Sequence, residues 1–155
     1  MLIPSKLKGK ILKAIASETQ AVGIYQAEIY WANDRFKNKL KEILSEETEH
    51  LDSLKKFILA NDMKNNLLDN KNSRLILGVG WLIGTLLSLS PKRFCFWLHF
   101  RAEKKASREY KALLKDILNN QKFQSLKNFQ LKQSILKSIR QEKKHSEYFY
   151  DLLKN

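Results

Sequence analysis

Four stretches of this chain repeat apolar residues in steps of three and four, and each repeat is broken near its middle by a glutamate. The first runs over about 5–32, with Ile11, Ile15, Glu18, Val22, Tyr25 and Ile29 in line. The second runs over about 35–60, with Phe36, Leu40, Ile43, Glu47, Leu51, Leu54 and Ile58, and Asn33 or Asp34 in position to cap it. Two more follow at about 93–119 (Phe96, His99 or Phe100, Glu103, Tyr110, Leu113, Ile117) and about 124–153 (Leu131, Ile135, Ile139, Glu142, His145, Phe149, Leu152). That spacing lines one face of an α-helix. A carboxylate in the middle of such a face is costly unless it is paired or bound to a cation. The sequence therefore predicts four long amphipathic helices that bring Glu18, Glu47, Glu103 and Glu142 to one level. Like charges so close repel unless they are protonated or neutralised by cations. With 5 Gly and 2 Pro in 155 residues there are too few turn formers for an all-β fold.

The three histidines sharpen the pattern. Two of them follow a glutamate by three positions: Glu47-Thr48-Glu49-His50 and Glu142-Lys143-Lys144-His145. Residues three apart share a helix face, so both side chains can reach one ion. Glu46 and Glu49 belong to the same acidic run, but only Glu47 has the right spacing to His50. Dinuclear iron and manganese bundles use one Glu from each of two helices and Glu-x-x-His from each of the other two. Here the order is Glu, Glu-x-x-His, Glu, Glu-x-x-His. Carboxylate and imidazole donors suit iron, with manganese as the alternative. The ligand set read from the residues is Glu18, Glu47, His50, Glu103, Glu142 and His145. His99 lacks such a glutamate and reads as structural or as a support to the ligands. The lone Cys95 excludes an internal disulfide and any all-cysteine metal cluster.

Between the second and third repeats the character changes. Leu75–Leu89 has no charged residue, then Pro91 interrupts, and Lys92 and Arg93 precede the apolar patch Phe94–Leu98. Fifteen apolar-rich residues fall short of the roughly 20 needed to span a bilayer. An extra short apolar helix in the second-to-third connection is expected here, preceded by a polar connection over 61–73. It either closes the bundle as a buried helix or dips into one leaflet. The start of the chain, with Lys6, Lys8, Lys10 and Lys13, is basic and amphipathic and has neither a secretory signal pattern nor the Arg content of a transit peptide. The net charge of +13 is uneven: residues 1–72 carry +2 and residues 73–155 carry +11. That points to an anionic partner. The basic excess lies in the half that holds the apolar segment, so residues 75–98 are the expected contact with an anionic membrane surface. Nucleic acid is the weaker alternative, because no basic stripe is interleaved with aromatics.

These residues resemble the demethoxyubiquinone hydroxylases, ferritin-like di-iron monooxygenases of ubiquinone biosynthesis, over roughly residues 15–153. The first ligand helix of that family is similar to Glu18-Thr-Gln-Ala21-Val-Gly-Ile24-Tyr25, the second to Glu46-Glu47-Thr-Glu-His50-Leu51-Asp52, the third to Ala102-Glu103 with Glu109-Tyr110, and the last to Glu142-Lys-Lys-His145. Arg74–Ser90, with Gly80, Trp81, Gly84 and Thr85, resembles its apolar helix. The resemblance implies an all-α, ferritin-like four-helix bundle forming a single domain over 1–155, with the same six metal ligands and two iron ions. It implies an enzyme that uses O2 to hydroxylate the ring of a prenylated methoxy-benzoquinol, peripheral to the cytoplasmic face of an inner membrane or its equivalent. A second copy of the chain or biosynthetic partner proteins would be further partners. By the same resemblance Glu109 and Tyr110 are the catalytic pair, standing where the family has His-Tyr and serving electron and proton delivery. The chain departs from the family before Glu18, where Ala14-Ile15-Ala16-Ser17 replaces the usual Asp-His and Gly, and at Ala27-Glu28, where the family has Gly-Gln. The competing readings are a ferritin-like di-iron tRNA hydroxylase and an iron- or peroxide-handling protein of the ferritin or rubrerythrin kind. A rubrerythrin would bring a Cys-pair iron domain, which one cysteine cannot build.

Overall fold

A computed structural model describes residues 4–61, 69–119 and 126–154. Their regular structure is entirely helical: α1 Ser5–Trp31, α2 Asp34–Ala60, α3 Asn70–Ser88, α4 Lys92–Leu118 and α5 Leu126–Lys154. The fold is all-α, as expected of a ferritin-like bundle. The four long helices fall within one or two residues of the sequence-derived bounds. The connecting segment differs. Residues 62–68 lie outside the described part, but 70–73, expected to belong to a polar connection, form the first turn of α3. Asn and Ser weaken a helix mainly by offering the backbone competing hydrogen bonds, and a turn at a helix start tolerates them. Asn33 takes the N-cap position of α2 with extended backbone, though its side chain makes no capping hydrogen bond.

The chain gathers into two compact units, Leu12–Cys95 and the pair Met1–Ile11 with Phe96–Asn155. In the first, α1 buries Ile15, Glu18, Val22 and Tyr25, while α2 buries Ile43, Glu47, Leu51, Leu54 and Ile58. These are the residues of the predicted stripes. Fully burying each large aliphatic contributes about 1.5–3 kcal/mol, a main term among those that offset the entropy of ordering two amphipathic helices.

The apolar helix α3 attaches to α1 in a different way. A Cβ placed on Gly80 would stand 2.2 Å from the Gln20 carbonyl oxygen, and one on Gly84 would stand 2.3 Å from that of Ile24. On α1, a Cβ on Gly23 would meet the Leu77 carbonyl oxygen at 2.3 Å. The two backbones touch through three glycines, and none of the blocking atoms is a side chain that could swing aside. Gly78, one position off this face, has nothing within 4 Å of a Cβ. A matched pair of variants checks this packing. Gly78→Ala is expected to raise stability by up to about 1 kcal/mol through helix propensity. Gly80→Ala is expected to lower it by about 1–3 kcal/mol through overpacking. Denaturant melts of the two proteins measure both.

Because α3 packs through glycine, many of its large side chains are left outside, while Ile76, Leu77, Ile83 and Leu87 are half-buried. Leu75 is 68% exposed and Trp81 41%, and Val79, Leu82, Leu86 and Leu89 are exposed as well. Only Gly80 and Gly84 are buried among the side chains described on this helix. α3 is therefore partly exposed and not fully buried. Among the described residues no helix is long and apolar enough to cross a membrane.

The second unit is built on α4 and α5. On α4 the buried residues are His99, Glu103, Ser107, Tyr110, Leu113 and Ile117, in steps of three and four. On α5 they include Leu131, Ile135, Ser138, Glu142, His145 and Phe149. The His99 ring stacks on Phe149 at 4.6 Å between centroids and 17° between planes. At the far end of the unit, Lys10 of α1 is paired with Asp116 of α4.

Candidate metal centre

The first unit holds one triad. Glu18 comes from α1, and Glu47 and His50 sit three residues apart on α2. All three are buried, with Glu47 only 2% exposed. Each offers a donor atom within 4.8 Å of the other two. The His50 Nδ1 lies 3.7 Å from Glu47 Oε2 and 3.9 Å from Glu18 Oε2. Within the acidic run only Glu47 is buried; Glu46 is half-buried and Glu49 exposed. The three-residue spacing to His50 thus selected the inward-facing carboxylate.

The second unit holds a triad of the same composition. Glu103 comes from α4, and Glu142 and His145 sit three apart on α5. Glu142 and His145 are each 1% exposed. Their donor atoms and that of Glu103 again lie within 4.8 Å of one another. The His145 Nδ1 stands 3.3 Å from Glu103 Oε2. In both units, then, one glutamate meets a Glu-x-x-His from the following long helix.

The donor set has a clear chemical meaning. Two carboxylates within 4.8 Å of each other repel by at least about 3 kcal/mol at an effective dielectric of about 20. Burial adds a desolvation cost of several kcal/mol per charge. One divalent cation per triad balances the two carboxylates, and oxygen with imidazole nitrogen is the donor mixture that iron and manganese accept. The residues fit the expected metals in charge, donor type and convergence.

Tyr110 is buried on the same face of α4 as Glu103, two turns further on, and its neighbour Glu109 is half-buried. Neither belongs to a triad. A third convergence was not anticipated. Cys95 at the start of α4 donates its S–H to Glu28 Oε1 at 3.3 Å. Burial, with the Glu28 carboxylate beside it, pushes this thiol far above its ordinary range. The signal available in sequence was the four-residue spacing of Cys95 and His99, which places both on one helix face.

The family model described as ubiquinone biosynthesis protein COQ7 matches residues 10–151. The chain belongs to the COQ7 family. That family is the demethoxyubiquinone hydroxylases, metal-dependent enzymes of ubiquinone biosynthesis, so the resemblance drawn from the ligand helices holds over nearly the whole chain. Curated proteins and solved structures gave no match.

Proposed function

We propose that this chain is a di-iron monooxygenase that hydroxylates the ring of a prenylated methoxy-benzoquinol in ubiquinone biosynthesis, using O2. The observation that carries the reading is the pair of buried triads, each of two glutamates and one histidine. Family membership supplies the substrate class. The six residues Glu18, Glu47, His50, Glu103, Glu142 and His145 match in number and kind the ligand set of a dinuclear carboxylate centre. The bound ions would supply the redox chemistry that activates O2. The chain's own residues hold and orient those ions, and the apolar stripes above and below keep water away. Tyr110 and Glu109 form the route for protons: a buried phenol on the ligand face beside a carboxylate that reaches solvent. Tyr110→Phe is expected to lower turnover by about 10–100-fold while metal content stays unchanged, the range typical of groups that support ligands from outside. Formation of hydroxylated quinol in cells lacking their own hydroxylase tests the activity itself. A folded, metal-loaded chain that forms none would refute it.

The polyprenyl tail places the substrate in a bilayer, and the exposed face of α3 is the proposed contact. It carries Leu75, Val79, Trp81, Leu82, Leu86 and Leu89, with exposed Lys71 and Arg74 at one end and Lys92 and Arg93 just past the other. Phe94 and Trp97 on the first turns of α4 are exposed too. An apolar face bordered by cations suits an interfacial helix on anionic lipid. The chain is expected to float with anionic vesicles at low salt. Changing Leu82 and Leu86 together to Asp should weaken vesicle binding by more than about tenfold, given about 1.5–3 kcal/mol per buried leucine. Flotation unaffected by this double change would rule out α3 as the contact.

A further inference from the structure

We propose, resting on the di-iron reading, that the outer face of α4 docks an acidic one-electron carrier protein, the reductant that the hydroxylation requires. Arg101, Lys104, Lys105, Arg108, Lys111 and Lys115 are all exposed. At about 100° per residue they fall within an arc of roughly 120°, and they extend over about 21 Å of helix. Between Arg101 and Lys115 the other exposed residues are Ala102 and Ala112. The carboxylates of this stretch lie off the stripe: Glu103 is buried, and Glu109 and Asp116 are half-buried. Asp116 is held by Lys10. Arg101 and Lys105, Lys104 and Arg108, and Lys111 and Lys115 are like-charged pairs four residues apart, an arrangement that weakens a helix. An anionic partner relieves that repulsion.

The make-up of the face selects the kind of partner. An interfacial lipid contact needs apolar side chains to insert, and the exposed residues here include none larger than alanine. Single-stranded nucleic acid stacks on open rings, but the nearest exposed ring, Trp97, already carries the Arg101 guanidinium at 4.9 Å. An array of ammonium and guanidinium groups suits a folded acidic protein that arrives quickly and leaves quickly. The place is also right. Glu103, assigned as a metal ligand, is buried on the inner side of this same helix. A helix is about 10–12 Å across with its side chains, so a docked carrier stands little more than one helix away from that carboxylate. Inserting one atom of O2 into a ring C–H bond and releasing the other as water consumes two electrons and two protons. The protons come from solvent. Two reduced carriers, exchanged in turn at this face, are each oxidised by one electron.

The probe is an acidic plant-type [2Fe–2S] ferredoxin, whose binding to the iron-loaded, full-length protein is followed by surface plasmon resonance. Binding is expected at low salt, with an association rate that falls as salt rises. Lys105→Glu, Arg108→Glu and Lys115→Glu together keep good helix formers at exposed positions and should weaken binding by at least about tenfold. A control of equal net charge reverses Lys41, Lys56 and Lys144, exposed on α2 and α5, and should weaken it by less than about threefold. With dithionite as reductant, hydroxylation by the α4 variant should equal that of the wild type. No binding at low salt overturns the proposal. So do equal losses in the two triple variants, since net charge alone would then attract the ferredoxin, and so does a loss of dithionite-driven turnover in the α4 variant. An α4 variant that loses binding to anionic vesicles or RNA but keeps the ferredoxin assigns the face to that polyanion and overturns the proposal too. Iron content is read on the same samples, so failure of the di-iron reading shows separately.

Discussion

Replacing Glu103 with alanine is expected to remove metal-dependent quinol oxidation, with a loss of more than about 100-fold. Losing only an outer partner of a metal ligand already costs 10–100-fold, and Glu103 is assigned as a ligand itself. It meets His145 at 3.3 Å and shares its surroundings with Glu142. Its removal leaves one carboxylate and one imidazole, too few donors to hold an ion firmly. The measurement is turnover and iron content on the same sample, with circular dichroism to confirm that the helices remain. Full turnover in Glu103→Ala would mean that the ligand set is wrong.

The second large effect concerns stability. Each triad gathers two buried carboxylates, so the metal-free protein carries a strain that the ions relieve. A ligand that binds only the folded state at 100 times its dissociation constant adds about 2.7 kcal/mol. For a chain of this size that corresponds to a rise in Tm of roughly 5–10 °C. Glu103→Leu is expected to act in two opposite ways. It should raise the Tm of the metal-free protein, because relief of the like-charge repulsion with Glu142 outweighs the lost contact with His145. It should also cancel most of the rise that iron produces in the wild type. Calorimetry with and without iron reads both. A Glu103→Leu protein that melts lower than wild type when both are metal-free would contradict the strained-cluster account. This is a local trade of stability for function.

Much of this was legible in the residues, for a physical reason. The long helices were readable because a buried stripe must recur every three or four positions, and a glutamate within it stands out. Glu18 and Glu103 stand out this way, and the Glu-x-x-His spacing points within the crowded acidic run to Glu47, which is its buried member. The mode of attachment of α3 was not legible. Its apolar composition suggested either burial or lipid, and nothing local said that Gly23, Gly80 and Gly84 would let two backbones meet. Its first turn was missed because Asn70, Lys71, Asn72 and Ser73 carry no apolar period. The Glu28–Cys95 contact was invisible as well, since it joins residues far apart in sequence on α1 and α4. The roles of Glu109 and Tyr110 rest on family resemblance, with the burial of the tyrosine as support.

Iron stoichiometry tests the central claim most directly. The protein is loaded anaerobically with ferrous iron, freed of excess, and analysed for metal per chain. Two irons per chain, falling to one or fewer in Glu103→Ala, is the result predicted for two glutamate–glutamate–histidine triads. Fewer than about one iron or manganese per folded chain would contradict a dinuclear centre and with it the proposed oxidation chemistry.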